Sequence, residues 1–397
     1  MTATPLTASE RPRTAEKVPL VDLSAEYASI NGEIDAAIQD VIARTAFVRG
    51  PFARAFESQW ATYCGASHAV GCANGTVAIE LALRALGIGP GDEVITTPLT
   101  FIATVESIVH AGATPVLAEI DPRTCNLSPE ATKAAITPRT KAIVPVALYG
   151  QPADMGAFRH IADTHGLLVV EDSAQAQGAA WAGRRTGSDG VADATTFSFY
   201  PGKNLGAYGD AGAVTTADPA LADRILRLSD HGRAEKYTHD QVGFNSRLDG
   251  IQAAVLSAKL PRLDAWNAAR RRLAQRYDTL LAGAVQRGLL RTVEQAPDAR
   301  GVYHLYVVRV AAPPAGAGRD AVLASLRDAG IEAGVHYPVP LHLQPALAHL
   351  GYGDGAFPEA ERASREALSL PIFPLMTEAQ QDRVVAALLA AVGASGA

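Results

Sequence analysis

Cysteine is scarce in this sequence. The 3 cysteines, Cys64, Cys72 and Cys125, form no CxxC pair, which argues against a disulfide framework or a cysteine zinc site and fits a reducing cytoplasm. Long apolar runs are missing too, so no segment reads as a membrane span. There is no excess of positive charge: 35 Lys and Arg stand against 41 Asp and Glu, a net charge of −6. That leaves no electrostatic footprint for nucleic acid or an anionic membrane. Residues 1–17 are polar and lack an apolar core segment, so they read as a disordered lead and not as a signal peptide. No GxGxxG follows a strand. Gly87-Ile88-Gly89-Pro90-Gly91 comes after a helix and reads as a C-cap turn, which removes the dinucleotide fingerprint.

What is present is a soluble-type chain of 397 residues, 48% hydrophobic and 19% charged, enough for a large domain and a smaller one. Strand-like runs over 68–73, 92–96, 114–118, 141–146, 167–171, 195–199 and 212–215 alternate with helical runs over 76–86, 103–111 and 155–165. Repeated βα units with near-continuous apolar strands predict an α/β fold with a mostly parallel sheet between helices. Beyond about residue 252 the character changes. A long helix over 251–281 is broken at Pro261, and 303–310 alternates like a half-exposed antiparallel strand. Helices near 319–329 and 359–367 complete a smaller C-terminal α+β domain. The expected division is 18–255 and 256–397, with 311–318 as a connector.

Ligands in parallel sheets bind at the carboxyl ends of the strands, and three groups of residues fall there. Asn74-Gly75-Thr76 joins a strand to a helix, where free N–H groups and the Thr76 hydroxyl can cradle a phosphate. An ordinary turn with a threonine cap is the plainer reading. Glu171-Asp172-Ser173-Ala174-Gln175 puts two acids at a strand end. A charge there needs a partner, although Asp172 or Ser173 could also cap a helix. Lys203 sits in the broken loop Phe199-Tyr200-Pro201-Gly202-Lys203-Asn204-Leu205-Gly206. Phe197, Phe199 and Tyr200 imply partial burial, which lowers a lysine's pKa and frees its amine for attack. A lysine amine, a strand-end carboxylate and a Gly-Thr helix start are the parts needed to hold pyridoxal 5'-phosphate, with the lysine forming the Schiff base and the carboxylate facing the pyridinium nitrogen.

Other segments carry weaker signals. Phe101 in Thr100-Phe101-Ile102 could stack on a flat heterocycle or pack in the core. Gly243-Phe244-Asn245-Ser246-Arg247-Leu248-Asp249 leads into a helix with Asp249 as its cap. Val335-His336-Tyr337-Pro338 and His342 lack a carboxylate or cysteine to complete a metal set, so they read as a substrate-facing wall.

Taken in order, these motifs resemble the DegT/DnrJ/StrS family of PLP-dependent nucleotide-sugar aminotransferases, over nearly the whole chain. The resemblance implies the PLP-dependent transferase fold type I and a homodimer with shared active sites. It makes Lys203 the Schiff-base residue and proton carrier, Asp172 the pyridinium partner and Gln175 the partner of the phenolic oxygen. Gly75, Thr76 and Ser198 would hold the phosphate, Phe101 would stack on the ring, and Asn245 would reach the phosphate of the neighbouring subunit. His231, Tyr237, Arg247, His336, Tyr337 and His342 would line the sugar-nucleotide side. L-Glutamate would give its amine to the cofactor, and the resulting pyridoxamine 5'-phosphate would pass it to an NDP-linked keto-6-deoxyhexose, as in deoxyaminosugar biosynthesis. Gly209-Asp210 resembles the loop of enzymes acting on 3-keto sugars, which favours C3 slightly over C4. The alternatives are a keto-cyclitol aminotransferase, a sugar dehydratase and a non-catalytic regulator. Lys203 argues against the dehydratase, in which histidine replaces the lysine. The short lead argues against a regulator, which would be expected to carry a basic helix-turn-helix.

Overall fold

The structure is a computed structural model that describes residues 17–311 and 318–393. The expected lead and connector lie outside the described residues, apart from Lys17, Ala311 and Gly318. The core of the larger unit is a seven-stranded sheet. In chain order its strands are His68–Cys72 (β1), Glu93–Thr96 (β2), Thr114–Leu117 (β3), Thr140–Ile143 (β4), Leu168–Asp172 (β5), Ala194–Ser198 (β6) and Gly212–Thr216 (β7), arranged β1-β7-β6-β5-β4-β2-β3. β3, β2, β4, β5 and β6 run parallel, and β7 pairs antiparallel with both β6 and β1. This is the mostly parallel sheet expected, with one reversed strand that lets β1 and β6 end side by side.

Both faces are buried, as parallel strands require. Ile79, Leu81 and Leu83 of the Gly75–Ala85 helix pack with Val70, Val94 and Val170 on one face. Ile95, Ile143 and Val169 meet Phe158 and Ile161 on the other. Behind β6, Phe197 and Phe199 pack with Trp60 and Phe56, the ring of Trp60 edge-on to both phenylalanines.

The smaller unit is a three-stranded antiparallel sheet of Leu290–Thr292, Tyr306–Val310 and Ala367–Leu370, with Tyr306–Val310 in the centre. That strand is shorter than expected and is not half-exposed: all its residues are buried. Its alternation misled because Arg309, the polar member, is itself buried. Its guanidinium pairs with Glu366 at 2.7 Å and donates to the carbonyl of Pro122 at 3.1 Å. Val18 pairs with Ile331 and joins the hydrophobic cluster of this smaller sheet, so the first described residues pack with the C-terminal unit and not with the larger one. The long helix is broken where Pro261 stands. Gly250–Lys259 and Leu263–Gln286 flank a 3-10 turn at Leu260–Arg262, because proline lacks the N–H that would continue the ladder.

Among the described residues no helix is long and apolar enough to cross a membrane.

Candidate active site

Three loops meet where β1, β5 and β6 end. At the end of β1, Asn74 caps the Gly75–Ala85 helix, its Oδ1 accepting from the N–H of Val77 at 2.9 Å. The cap is therefore asparagine and not Thr76, which leaves the Thr76 hydroxyl unused by the cap. Gly75 lies against the end of β6: a Cβ built on it would come within 2.6 Å of the Ser198 Cβ. Only glycine permits this approach, and it sets the helix N-terminus beside the Ser198 hydroxyl. A helix N-terminus beside a hydroxyl is an arrangement able to take an anion.

At the end of β5, Asp172 is 4% exposed. Its Oδ2 accepts from the Thr104 hydroxyl at 2.8 Å and its Oδ1 from the N–H of Ala174 at 3.1 Å. The carboxylate thus closes a turn after the strand. No helix starts at Asp172 or Ser173, so neither acts as a helix cap. Burial pushes the Asp172 carboxyl up, while Thr104, Ala174 and the charge of Lys203 pull it down. A carboxylate has room for further donors beyond two. Glu171 points to the opposite face of the strand, as the pleat requires, and is fully buried.

Lys203 is half-buried in the loop after β6. Burial lowers its amine to about 8, against the opposing pull of Asp172. Phe197 and Phe199 are buried as expected, whereas Tyr200 is 59% exposed. A second lysine, Lys259, is fully buried, but Glu26 at 2.7 Å and the Gly206 carbonyl at 2.8 Å occupy its amine. Lys203 has no such neutralising contact among the described residues.

Gln175 is held by the N–H of Tyr149, which donates to its Oε1 at 2.6 Å, and its Nε2 donates to the Tyr337 hydroxyl at 3.1 Å. Phe101 is 55% exposed and its ring lies 5.9 Å from that of Tyr337, so it does not pack in the core and one face remains open. His336 is held by Ser369, Nδ1 to Oγ at 2.8 Å. Burial, reinforced by the charge of Lys203, pushes it down to about 4. His336 and Tyr337 thus join Lys203, Asp172, Gln175, Phe101, Gly75, Thr76 and Ser198 around one centre.

The remaining expected residues are placed elsewhere within this chain. His342 is buried, with Nε2 against Glu361 Oε1 at 2.9 Å. The carboxylate that the sequence did not offer locally lies 19 residues on, and the ring is not open to the centre. His231 and Tyr237 are exposed beside the small hairpin of Arg233–Glu235 and Thr238–His239. Arg247 donates to Asp230 at 3.0 Å and also to the exposed Asn245. Asp249 occupies the N-cap position of its helix without capping it through its side chain.

Three neighbours went unnoticed in the sequence. Thr104 holds Asp172, and Tyr149 holds Gln175 and donates its hydroxyl to the His336 carbonyl at 2.6 Å. His304 is half-buried, with its Nδ1 buried and unpartnered among the described residues. Burial first, and then Lys203, push it well below the usual histidine range.

This geometry fits pyridoxal phosphate: an open helix start that a Cβ would fill, a buried carboxylate with acceptor capacity to spare, an activated amine and an exposed ring. The fold and site define a PLP-dependent aminotransferase. Residues 28–389 match the DegT/DnrJ/EryC1/StrS aminotransferase family, and the chain belongs to it. A dTDP-3-amino-3,4,6-trideoxy-alpha-D-glucose transaminase of Streptomyces venezuelae is 47% identical over 372 residues, covering 94% of this chain and 95% of that protein. A "Pleiotropic regulatory protein" of Geobacillus stearothermophilus is 48% identical over 368 residues, covering 93% and 96%. The solved structure of S. venezuelae DesV superposes with a TM-score of 0.90 at 45% identity, covering 96% of this chain and 99% of that one.

Proposed function

We propose that this aminotransferase moves an amino group from L-glutamate to a keto group at C3 of an NDP-linked keto-6-deoxyhexose. The observation that carries the site assignment is an activated Lys203 that feels the charge of a buried Asp172, at the same sheet end as the Gly75 helix start. When bound, pyridoxal phosphate supplies an electron sink that makes the amino carbon acidic. Lys203 would hold the cofactor through its amine, and the same amine is the group that would carry a proton in the transfer. Asp172, which accepts from Thr104 and Ala174, would face the ring nitrogen and favour its protonated form. Gln175 Nε2 is placed to donate to the phenolic oxygen, and Phe101 covers one face of the ring. Gly75, Thr76 and Ser198 hold the phosphate. His336 and Tyr337 line the approach of the sugar.

The 3-amino sugar in the name of the Streptomyces relative and the Gly209-Asp210 loop support C3. An intact Lys203 and Asp172 favour an enzyme over the regulator that the Geobacillus relative's name suggests. A homodimer goes with this reading. Asn245, His231, Tyr237 and Arg247 would then serve the site of the neighbouring subunit. Exposed Phe47, Val48 and Val242 would be covered in it. Three free buried cysteines suit the cytoplasm.

The test is to charge the enzyme with L-glutamate and mix it separately with thymidine-diphosphate 3-keto- and 4-keto-6-deoxyglucose. Return of the pyridoxal absorbance with the 3-keto sugar alone is expected. Return with the 4-keto sugar alone would move the chemistry to C4. Return with neither, after a normal glutamate half-reaction, would point to a keto-cyclitol or to a sugar on another nucleotide.

A further inference from the structure

Three amide side chains lie beneath the lysine loop, and all are buried: Gln177, Asn204 and Asn267 are 0%, 3% and 1% exposed. Asn204, next to Lys203, donates from Nδ2 to Asn267 Oδ1 at 2.8 Å and to the Val302 carbonyl at 3.0 Å. Asn267 Nδ2 donates to the Gln177 carbonyl at 2.8 Å. Gln177 Nε2 in turn donates to the Ser198 carbonyl at 2.5 Å and the Ala174 carbonyl at 3.1 Å. One chain of hydrogen bonds therefore joins the lysine loop, the phosphate-cradle strand and the turn closed by Asp172. Its hub, Asn267, belongs to the Leu263–Gln286 helix.

Two further features show that the backbone is arranged around this hub. Gly178 has a φ of +84°, and a Cβ there would come within 2.8 Å of Asn267 Nδ2. One turn along the helix, Arg270 donates to the carbonyls of Ile372 at 2.8 Å and Tyr303 at 3.2 Å, anchoring the helix to the smaller unit. The network is not the most stable filling of this space. Asn204 Oδ1 and Gln177 Oε1 are buried without a partner among the described residues, and such orphaned acceptors cost stability that an apolar cluster would not. What three linked amides provide is direction, because each bond fixes one backbone segment relative to another.

We propose that Asn267 is a positioning residue for amine transfer. It acts through Asn204 and Gln177 to hold the Lys203 backbone in register with Asp172 and Ser198, and it touches neither cofactor nor substrate. The inference rests on the reading of Lys203 and Asp172 as the reacting pair.

The experiment uses the full chain with Asn204→Ala, Asn267→Ala, the double variant and Asn267→Asp. The aspartate keeps the acceptor for Asn204 and loses the donor to Gln177. Four quantities are read: kcat and KM of the glutamate half-reaction, the pH midpoint of the bound cofactor's visible absorbance, cofactor affinity, and the unfolding temperature of the apoprotein. Each alanine variant should slow the half-reaction about tenfold, with KM changed less than about twofold, since misplacement by a fraction of an ångström is felt in the chemical step. The pH midpoint should move. The double variant should be no slower than the slower single, because both break one link, and Asn267→Asp should recover part of the rate. Additive losses, a change in KM alone, or a lowered unfolding temperature with a wild-type rate and pH midpoint would overturn the proposal. If Asn267→Ala does not fold, Asn204→Ala and Asn267→Asp decide by the same criteria. Borohydride trapping of the wild-type enzyme separates the two layers. Absence of label on Lys203 would sink the underlying reading, while normal labelling with wild-type-like variants would sink only this inference.

Discussion

The hydroxyl of Thr104 donates to Asp172 Oδ2 at 2.8 Å, both groups buried, across 68 residues of sequence. This bond counters the burial that pushes the Asp172 carboxyl upward. A hydrogen bond to a charged group contributes about 1.5–3 kcal/mol, so Thr104→Val should raise the Asp172 pKa. The glutamate half-reaction should slow about tenfold at neutral pH, and the acid limb of its pH profile should move to higher pH. A profile that keeps its midpoint would show that Thr104 only fills space.

Gly75→Ala should weaken cofactor binding. Its Cβ would need to sit 2.6 Å from the Ser198 Cβ, and the helix start and β6 must separate to admit it. Losing one charge-assisted bond to the phosphate corresponds to tenfold or more in affinity, at about 1.4 kcal/mol per tenfold. Equilibrium dialysis of PLP against the apoprotein measures this. An unchanged dissociation constant would contradict the cradle.

The amine of Lys203 should become competent well below the ordinary lysine range. Burial disfavours the ammonium form, Asp172 favours it, and the balance is about 8. Only the neutral amine attacks, so the rate of PLP capture by the apoprotein should climb with pH and level off above about 8. In Asp172→Asn the opposing pull is gone and the midpoint should fall further. Stopped-flow absorbance reads both. A wild-type rate still climbing at pH 10 would contradict an activated lysine.

Glu171, on the back of β5, gives a stability test separate from catalysis. Burial raises its carboxyl to about 7, with Asp172 adding and Ser173 and Thr195 opposing. A pKa raised on folding contributes stability below the unfolded value that is lost as pH rises through the folded one. Glu171→Gln should therefore match the wild-type apoprotein near pH 4.5. It should exceed it above pH 7 by up to about 3 kcal/mol, from 1.36 kcal/mol per pKa unit. Urea unfolding at pH 5 and pH 8 is the check. A difference independent of pH would mean that Glu171 is charged in the fold and has found a partner.

The sheet was legible because its strands are short apolar runs bounded by Gly, Pro and charged residues, and Asp172, Gly75 and Lys203 fell at their ends by pattern alone. Relationships between distant residues were not legible. Nothing local to Thr104 signals Asp172, and nothing near Asn204 signals Asn267, 63 positions away. Arg309 suggested an exposed face because its partner Glu366 lies 57 residues on. His342 suggested a substrate wall for the same reason, its partner being Glu361. Buried ion pairs form where elements meet, and a single sequence does not show which elements meet. The cap was assigned to Thr76 and not to Asn74 for a different reason: asparagine and threonine both cap, and only the backbone geometry of the turn selects between them.

The most direct measurement is reduction of the PLP-loaded enzyme with borohydride, followed by peptide mapping of the fixed pyridoxyl group. The account predicts label on the peptide containing Lys203, no label in Lys203→Ala, and loss of the glutamate half-reaction in that variant while its fold is kept. Label on the buried Lys259, or a normal half-reaction in Lys203→Ala, would contradict it.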